Sequence, residues 1–207
     1  MAMKRFLASF VARRGIGGSD ANAAFRVPTI AADELPLEPV SHPPSDNDVL
    51  MHEHEWAQFE LLPATRLPEI RRHLAAVRVA AGVNAVNGGW STPHPRRLQR
   101  GVVVAGPEPL RLLEKALKLP AGVAPTLFAR QGVAGRLTGG FSFPVHQQVM
   151  LYGYVTAHHV PVLGLLPGES ADDAALFSAL NLLPQAWNLV LVDWCAQRVL
   201  GRDGPVL

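Results

Sequence analysis

Cysteine is nearly absent from this chain: Cys195 is the only one in 207 residues. An intrachain disulfide and any cysteine-based zinc cluster are thereby excluded, which suits a reducing compartment, and a cytoplasmic protein is expected. The sequence also lacks an unbroken apolar run of the ~20 residues needed to cross a bilayer. The nearest, 174–192, is interrupted by Asn181, Pro184, Gln185 and Asn188, so no transmembrane segment is expected. Charge is missing from a whole stretch, because no Asp, Glu, Lys or Arg stands between Arg136 and Glu169. Such a stretch cannot all face water and is expected to form the central layer of the fold. Catalytic and cofactor signatures are lacking too. No catalytic residue is assigned and no cofactor is expected.

Against these absences, 48% of the residues are hydrophobic, enough to bury a good core in one domain with a tail. Charge is divided along the chain: residues 1–26 balance at +4, 27–62 at −8, 63–118 at +7 and the remainder at −1. Either a basic face seeks an anionic partner, or an acidic arm lies on its basic neighbour.

In chain order, residues 1–14 can form a short helix with Phe6, Leu7, Phe10 and Val11 on one side and cations at both ends, a pattern for a membrane surface or a partner. It is too short, and lacks the small-residue cleavage site, for a secretory signal. Glycines and prolines from Gly15 to Pro44 mark an arm that is partly disordered or docked through Ile30, Leu35, Leu37 and Val40. Residues 1–50 are read as this arm, 51–200 as the core and 201–207 as a tail. Alternation predicts a strand from about His54 to Leu62. Leu67, Ile70, Leu74, Val77 and Ala81 recur at helical spacing opposite Arg66, Arg71, Arg72 and Arg78, with Pro68 in the first turn and Gly82 as the stop. Further elements are a strand over 101–105, a helix opened by Pro107 and Pro109, a strand over 126–131, a glycine-rich turn from Gly132 to Gly140 and a strand over 147–156. The apolar runs Val160–Leu166 and Trp187–Val192 read as strands covered on both faces, with a helix between them. Asp193 is expected to cap a short helix over 194–200, closed by Gly201. The pattern predicts an α+β or mixed α/β domain with a central mixed sheet of about six strands and three or four helices. Phe59-Glu60-Leu61-Leu62-Pro63 and Leu163-Gly164-Leu165-Leu166-Pro167 form a weak internal echo, each placed before a helix.

Four constellations offer chemistry. His52 and His54, with Glu53, Glu55 and His42 nearby, would share a face on a strand and could hold zinc or non-haem iron if a third ligand came from His146, His158 or His159. Trp90 with Arg96, Arg97 and Arg100 combines an aromatic platform with cations, the ingredients for stacking on single-stranded nucleic acid or binding an anion. Ser170 stands where a hydrolase nucleophile elbow would, but glycine is missing two positions later. Paired with Asp173, it reads instead as a helix cap. Gly132, Gly135, Gly139 and Gly140 resemble a phosphate loop in composition, yet Phe141-Ser142-Phe143-Pro144 is no helix start.

The charge-free third quarter is long for a monomer. The leading expectation is therefore a non-catalytic accessory or adaptor protein that self-associates or binds a protein partner through that apolar surface. The alternatives are a small metal-dependent hydrolase built on His52 and His54, and binding of nucleic acid or an anion by Trp90 and the arginines. Richness in Ala, Arg, Leu and Pro suggests a bacterial source.

Overall fold

A computed structural model describes residues 25–40, 48–129 and 132–207. The possible helix over residues 1–14, the glycines at 15, 17 and 18, and His42 lie outside them. The largest sheet contains β1 (Phe59–Pro63), β2 (Gly140–His146), β3 (Val149–Tyr154), β4 (Val162–Pro167), β5 (Leu189–Asp193), β6 (Arg198–Gly201) and β7 (Gly204–Pro205). Their order is β2-β3-β4-β1-β5-β6-β7, and every neighbouring pair is antiparallel. Three helices accompany it: α1 (Leu67–Val83), α2 (Pro109–Leu117) and α3 (Asp173–Asn181).

The α+β class is as expected, but the mixed sheet of about six strands is corrected to seven antiparallel ones. β4 and β5, joined by α3, do run parallel to each other. They are not neighbours, however, because the earliest strand, β1, lies between them and runs the other way. The echo noted in the sequence falls on the two central neighbours, β1 and β4, with Gly164 opposite Glu60. Each of these strands ends in a proline, and each is followed by a helix that covers one of the two faces.

Both faces are closed, which accounts for the uncharged stretch. With a period of two, Leu61, Leu163, Leu165, Leu189 and Leu191 point to one side, where Leu113 of α2 and Leu176 and Leu180 of α3 meet them. On the other side, Leu62, Val190 and Val192 meet Ile70 and Leu74 of α1. Beside them, Met150, Tyr152, Val162 and Leu166 meet Met51, Leu127 and Leu137 from a second sheet. That second sheet has the order Leu37–Glu38, Gly132–Leu137, Thr126–Ala129, Leu50–His52. The third quarter is thus an inner layer. It escapes water beneath its own helices and second sheet, and it is not the exposed apolar surface expected of it.

Local chemistry explains the other differences. The strand expected over 54–62 begins only at Phe59, because Glu53–Glu55 form a 3-10 turn and Ala57 takes a φ of 53°. The glycine-rich turn is largely a strand, Gly132–Leu137. Gly135 has a φ of 150°, and a Cβ there would come within 2.8 Å of the Glu38 carbonyl oxygen, so glycine permits the close pairing with Leu37–Glu38. The expected helix over 194–200 is a turn into β6. Asp193 does accept the Ala196 N–H at 2.9 Å, but Gln197 enters the left-handed region (φ 57°) and turns the chain back. Helix α1 runs through Gly82 to Val83. Helix α3 is capped by Asp172, whose carboxylate accepts the Ala175 N–H at 2.9 Å; Ser170 instead accepts from the Gln148 amide. The final residues extend the sheet as β7, and Val206 donates its N–H to the Val199 carbonyl.

Candidate functional site

Four buried polar side chains, Thr29, Gln58, Glu60 and Arg96, gather in one cluster on the α1 side of the sheet. Thr29–Ala31 of the arm pairs in parallel with His94–Arg96, and this register turns Arg96 inward. Arg96 has no exposed surface. Its guanidinium donates to Thr29 Oγ1 at 3.0 Å, Gln58 Oε1 at 3.3 Å and the Ala57 carbonyl at 2.8 Å, and lies 4.7 Å from the centre of the Trp194 ring. Burial pulls its pKa down to about 10, against the favourable charge of Glu60. The Thr29 hydroxyl donates in turn to the His94 carbonyl at 2.7 Å, while the Gln58 amide donates to the carbonyls of Thr29 and His54.

Arg100 completes the cluster. Four residues beyond Arg96, it pairs with Glu60 of β1 and with Asp33 of the arm. Burial alone would lower its pKa, but the two carboxylates more than offset that and hold it above the ordinary arginine value. The other oxygen of Glu60 accepts the Trp194 indole N–H at 3.2 Å. Cys195 donates its thiol to Gln58 Oε1 at 3.4 Å, and burial together with Asp193 pushes its pKa up to about 12. Such a thiol has almost no nucleophilic thiolate at neutral pH. The contacts of the cluster tie together the arm, the segment carrying Arg96 and Arg100, β1 with the turn that precedes it, and the turn after β5. Its chemistry is that of a fastening.

The residues singled out from sequence are distributed differently from the expected grouping. Of the three arginines beside Trp90, only Arg97 is exposed; Arg96 is buried and Arg100 is held by its two carboxylates. The cations therefore do not gather into one solvent-facing platform. Trp90 lies in a short hairpin strand paired with Ala85–Val86, and its backbone exchanges hydrogen bonds with Phe25. His52 and His54 approach with ring centres 4.6 Å apart. They do not share a strand face, because His52 ends the strand and caps the following turn. Its Nδ1 accepts the His54 N–H at 3.1 Å, and Glu55 accepts the His52 N–H at 2.7 Å. Among the described residues, no group of three or more His, Cys, Asp or Glu side chains is arranged to hold a metal ion. The Thr156 hydroxyl is 3.0 Å from His159 Nδ1, and His146 Nδ1 accepts the Gln148 N–H, so each has a local role.

One surface feature was overlooked in the sequence. On α1, Ile70, Leu74, Val77 and Ala81 are buried. Val79 and Val83 point away from them and are 69% and 78% exposed, the highest values among the exposed large apolar side chains of the described residues. Their spacing of four places them one above the other, with exposed Ala75 and Ala76 on the same side. Arg72 lies in line with this stripe and Arg78 on its flank, and both are exposed. The signal was legible, since valines occupy outward positions where an amphipathic helix carries charge.

No family model matches the chain, and neither the curated proteins nor the solved structures contain a significant match. Among the described residues, no helix is long and apolar enough to cross a membrane.

Proposed function

We propose that this protein is a non-catalytic interaction module, an accessory or adaptor protein that contacts another protein or a second copy of itself through the outer face of α1. The observation that carries this reading is the exposed Val79–Val83 pair on a helix whose opposite face is already buried. Scattered apolar side chains are ordinary on a surface, whereas a stripe on a rigid helix has the form of a helix-packing site. The support for binding moves from the third quarter, which is internal, to α1. The buried cluster contributes rigidity, because Arg96 and Arg100 fix the arm to the body that carries α1.

A photo-crosslinking residue at Ala75, introduced in the cell that makes the protein, tests the reading. The expected result is a discrete adduct, of higher mass or of dimer mass, that is missing when the probe is placed at exposed Asp203. An equal or smaller yield at Ala75 would contradict it.

A further inference from the structure

The proposed contact face carries information about its occupant. Its centre is made of small side chains, Ala75, Ala76, Val79 and Val83, with exposed Gly82 between the valines' turns. Small residues let another backbone approach closely, whereas large aromatic or leucine side chains would be needed to anchor a helix in lipid. The rim is cationic. Arg72 heads the stripe, in line with Ala76 and Val79, Arg71 and Arg78 lie on one flank, and all three are exposed.

The one carboxylate on α1 is Glu69. Arg66 holds it through two hydrogen bonds of 2.9 Å, which lowers its pKa. Among the described residues, no acidic side chain forms a salt bridge with Arg71, Arg72 or Arg78; the charge of Arg72 also favours the Glu69 carboxylate, but Arg66 is its hydrogen-bonded partner. A second α1 packed on the first would bring like charges together, so pairing between two copies of this helix is opposed.

Resting on the reading of α1 as a contact surface, we infer that its occupant is an acidic amphipathic helix of another protein. That helix carries an apolar i, i+3, i+4 stripe for Val79 and Val83, flanked by Asp or Glu that meet the α1 arginines. Helix-on-helix packing of this kind takes its affinity from the apolar contacts, while the charges select the partner and set its orientation.

The test uses the full-length protein and two synthetic amphipathic helices of identical apolar stripe, one flanked by glutamate and one by lysine. Titration by fluorescence anisotropy at low ionic strength is expected to give the glutamate peptide at least about a tenfold lower Kd. The advantage should shrink with added salt, and amide shifts should be confined to residues 72–83. Combined Arg72→Glu and Arg78→Glu, on exposed side chains, should reverse the preference toward the lysine peptide while the melting curve is retained. Equal affinity for the two peptides, or no binding of the glutamate peptide, overturns the inference. So does binding to phosphatidylserine vesicles that depends on Val79 and Val83, or a dimer abolished by Val83→Glu. A specific adduct from Ala75 together with indifference to peptide charge would leave the contact face standing and remove the acidic helix alone.

Discussion

Glu60 and Trp194 are 134 positions apart in the chain, yet one Glu60 oxygen accepts the Trp194 indole N–H at 3.2 Å while the other holds Arg100. Arg96 lies over the face of the same indole. A carboxylate, an indole and two guanidiniums thus close a polar knot between central strands whose remaining side chains are almost wholly aliphatic. Such knots are sensitive to the loss of one member, because the others stay buried without a partner.

Arg96→Ala removes the donor for Thr29 Oγ1, Gln58 Oε1 and the Ala57 carbonyl. The expected cost is about 1–3 kcal/mol in chemical denaturation, because these neutral acceptors are left buried without a donor. Arg97→Ala, at the exposed neighbour, should stay within about 0.5 kcal/mol of the parent. Arg96→Lys should restore little, since a single ammonium cannot reproduce the planar fork that reaches three acceptors.

Cys195 should be inert in the folded state. Its pKa of about 12 is above the thiol's ordinary value, so the unfolded chain ionises first. The stability due to the neutral buried thiol is complete below the unfolded pKa and is lost as pH rises toward 12. At neutral pH, native protein should therefore react with an aromatic disulfide reagent more slowly than the unfolded chain does. Relative to Cys195→Ala, the parent should lose stability above pH ~9. Rapid labelling at neutral pH under native conditions would show instead a thiolate that the fold stabilises.

The cap of α3 distinguishes two adjacent candidates. Asp172→Ala should cost about 1 kcal/mol of stability, because the Ala175 N–H loses its acceptor. Ser170→Ala, which removes only an exposed hydrogen bond from Gln148, should cost less than about 0.5 kcal/mol.

Gly153 of β3 leaves no room for a side chain between its own backbone and β4. A Cβ there would lie 2.2 Å from the Val162 carbonyl oxygen and 2.9 Å from the Phe141 ring. Gly153→Ala should therefore destabilise the protein by about 1–3 kcal/mol, measured as a lowered denaturation midpoint.

The parts of the fold that could be read from sequence are those where side-chain chemistry alone sets the local structure. α1 was legible because Ile70, Leu74, Val77 and Ala81 recur on one face and Pro68 opens the helix. β4 and β5 were legible because an uninterrupted apolar run suits a strand covered on both sides. Strand order was not, since the insertion of β1 between β4 and β5 depends on contacts across more than a hundred residues. The glycines of 132–140 resembled a turn because composition cannot distinguish a bend from two backbones in close contact. Arg96 and Arg97 are consecutive and chemically identical, yet one is buried and the other exposed. Only the register with Thr29–Ala31 decides which. The outward valines of α1 were visible at their spacing of four but were overshadowed by the arginines beside them.

The most direct measurement of the central claim is the cross-linking yield from Ala75 in a chain carrying Val79→Glu and Val83→Glu, read together with thermal melting. Both valines are highly exposed, so the melting curve should be unchanged while the adduct is lost. An adduct that persists undiminished in the folded double variant would contradict the assignment of the outer face of α1 as the contact surface.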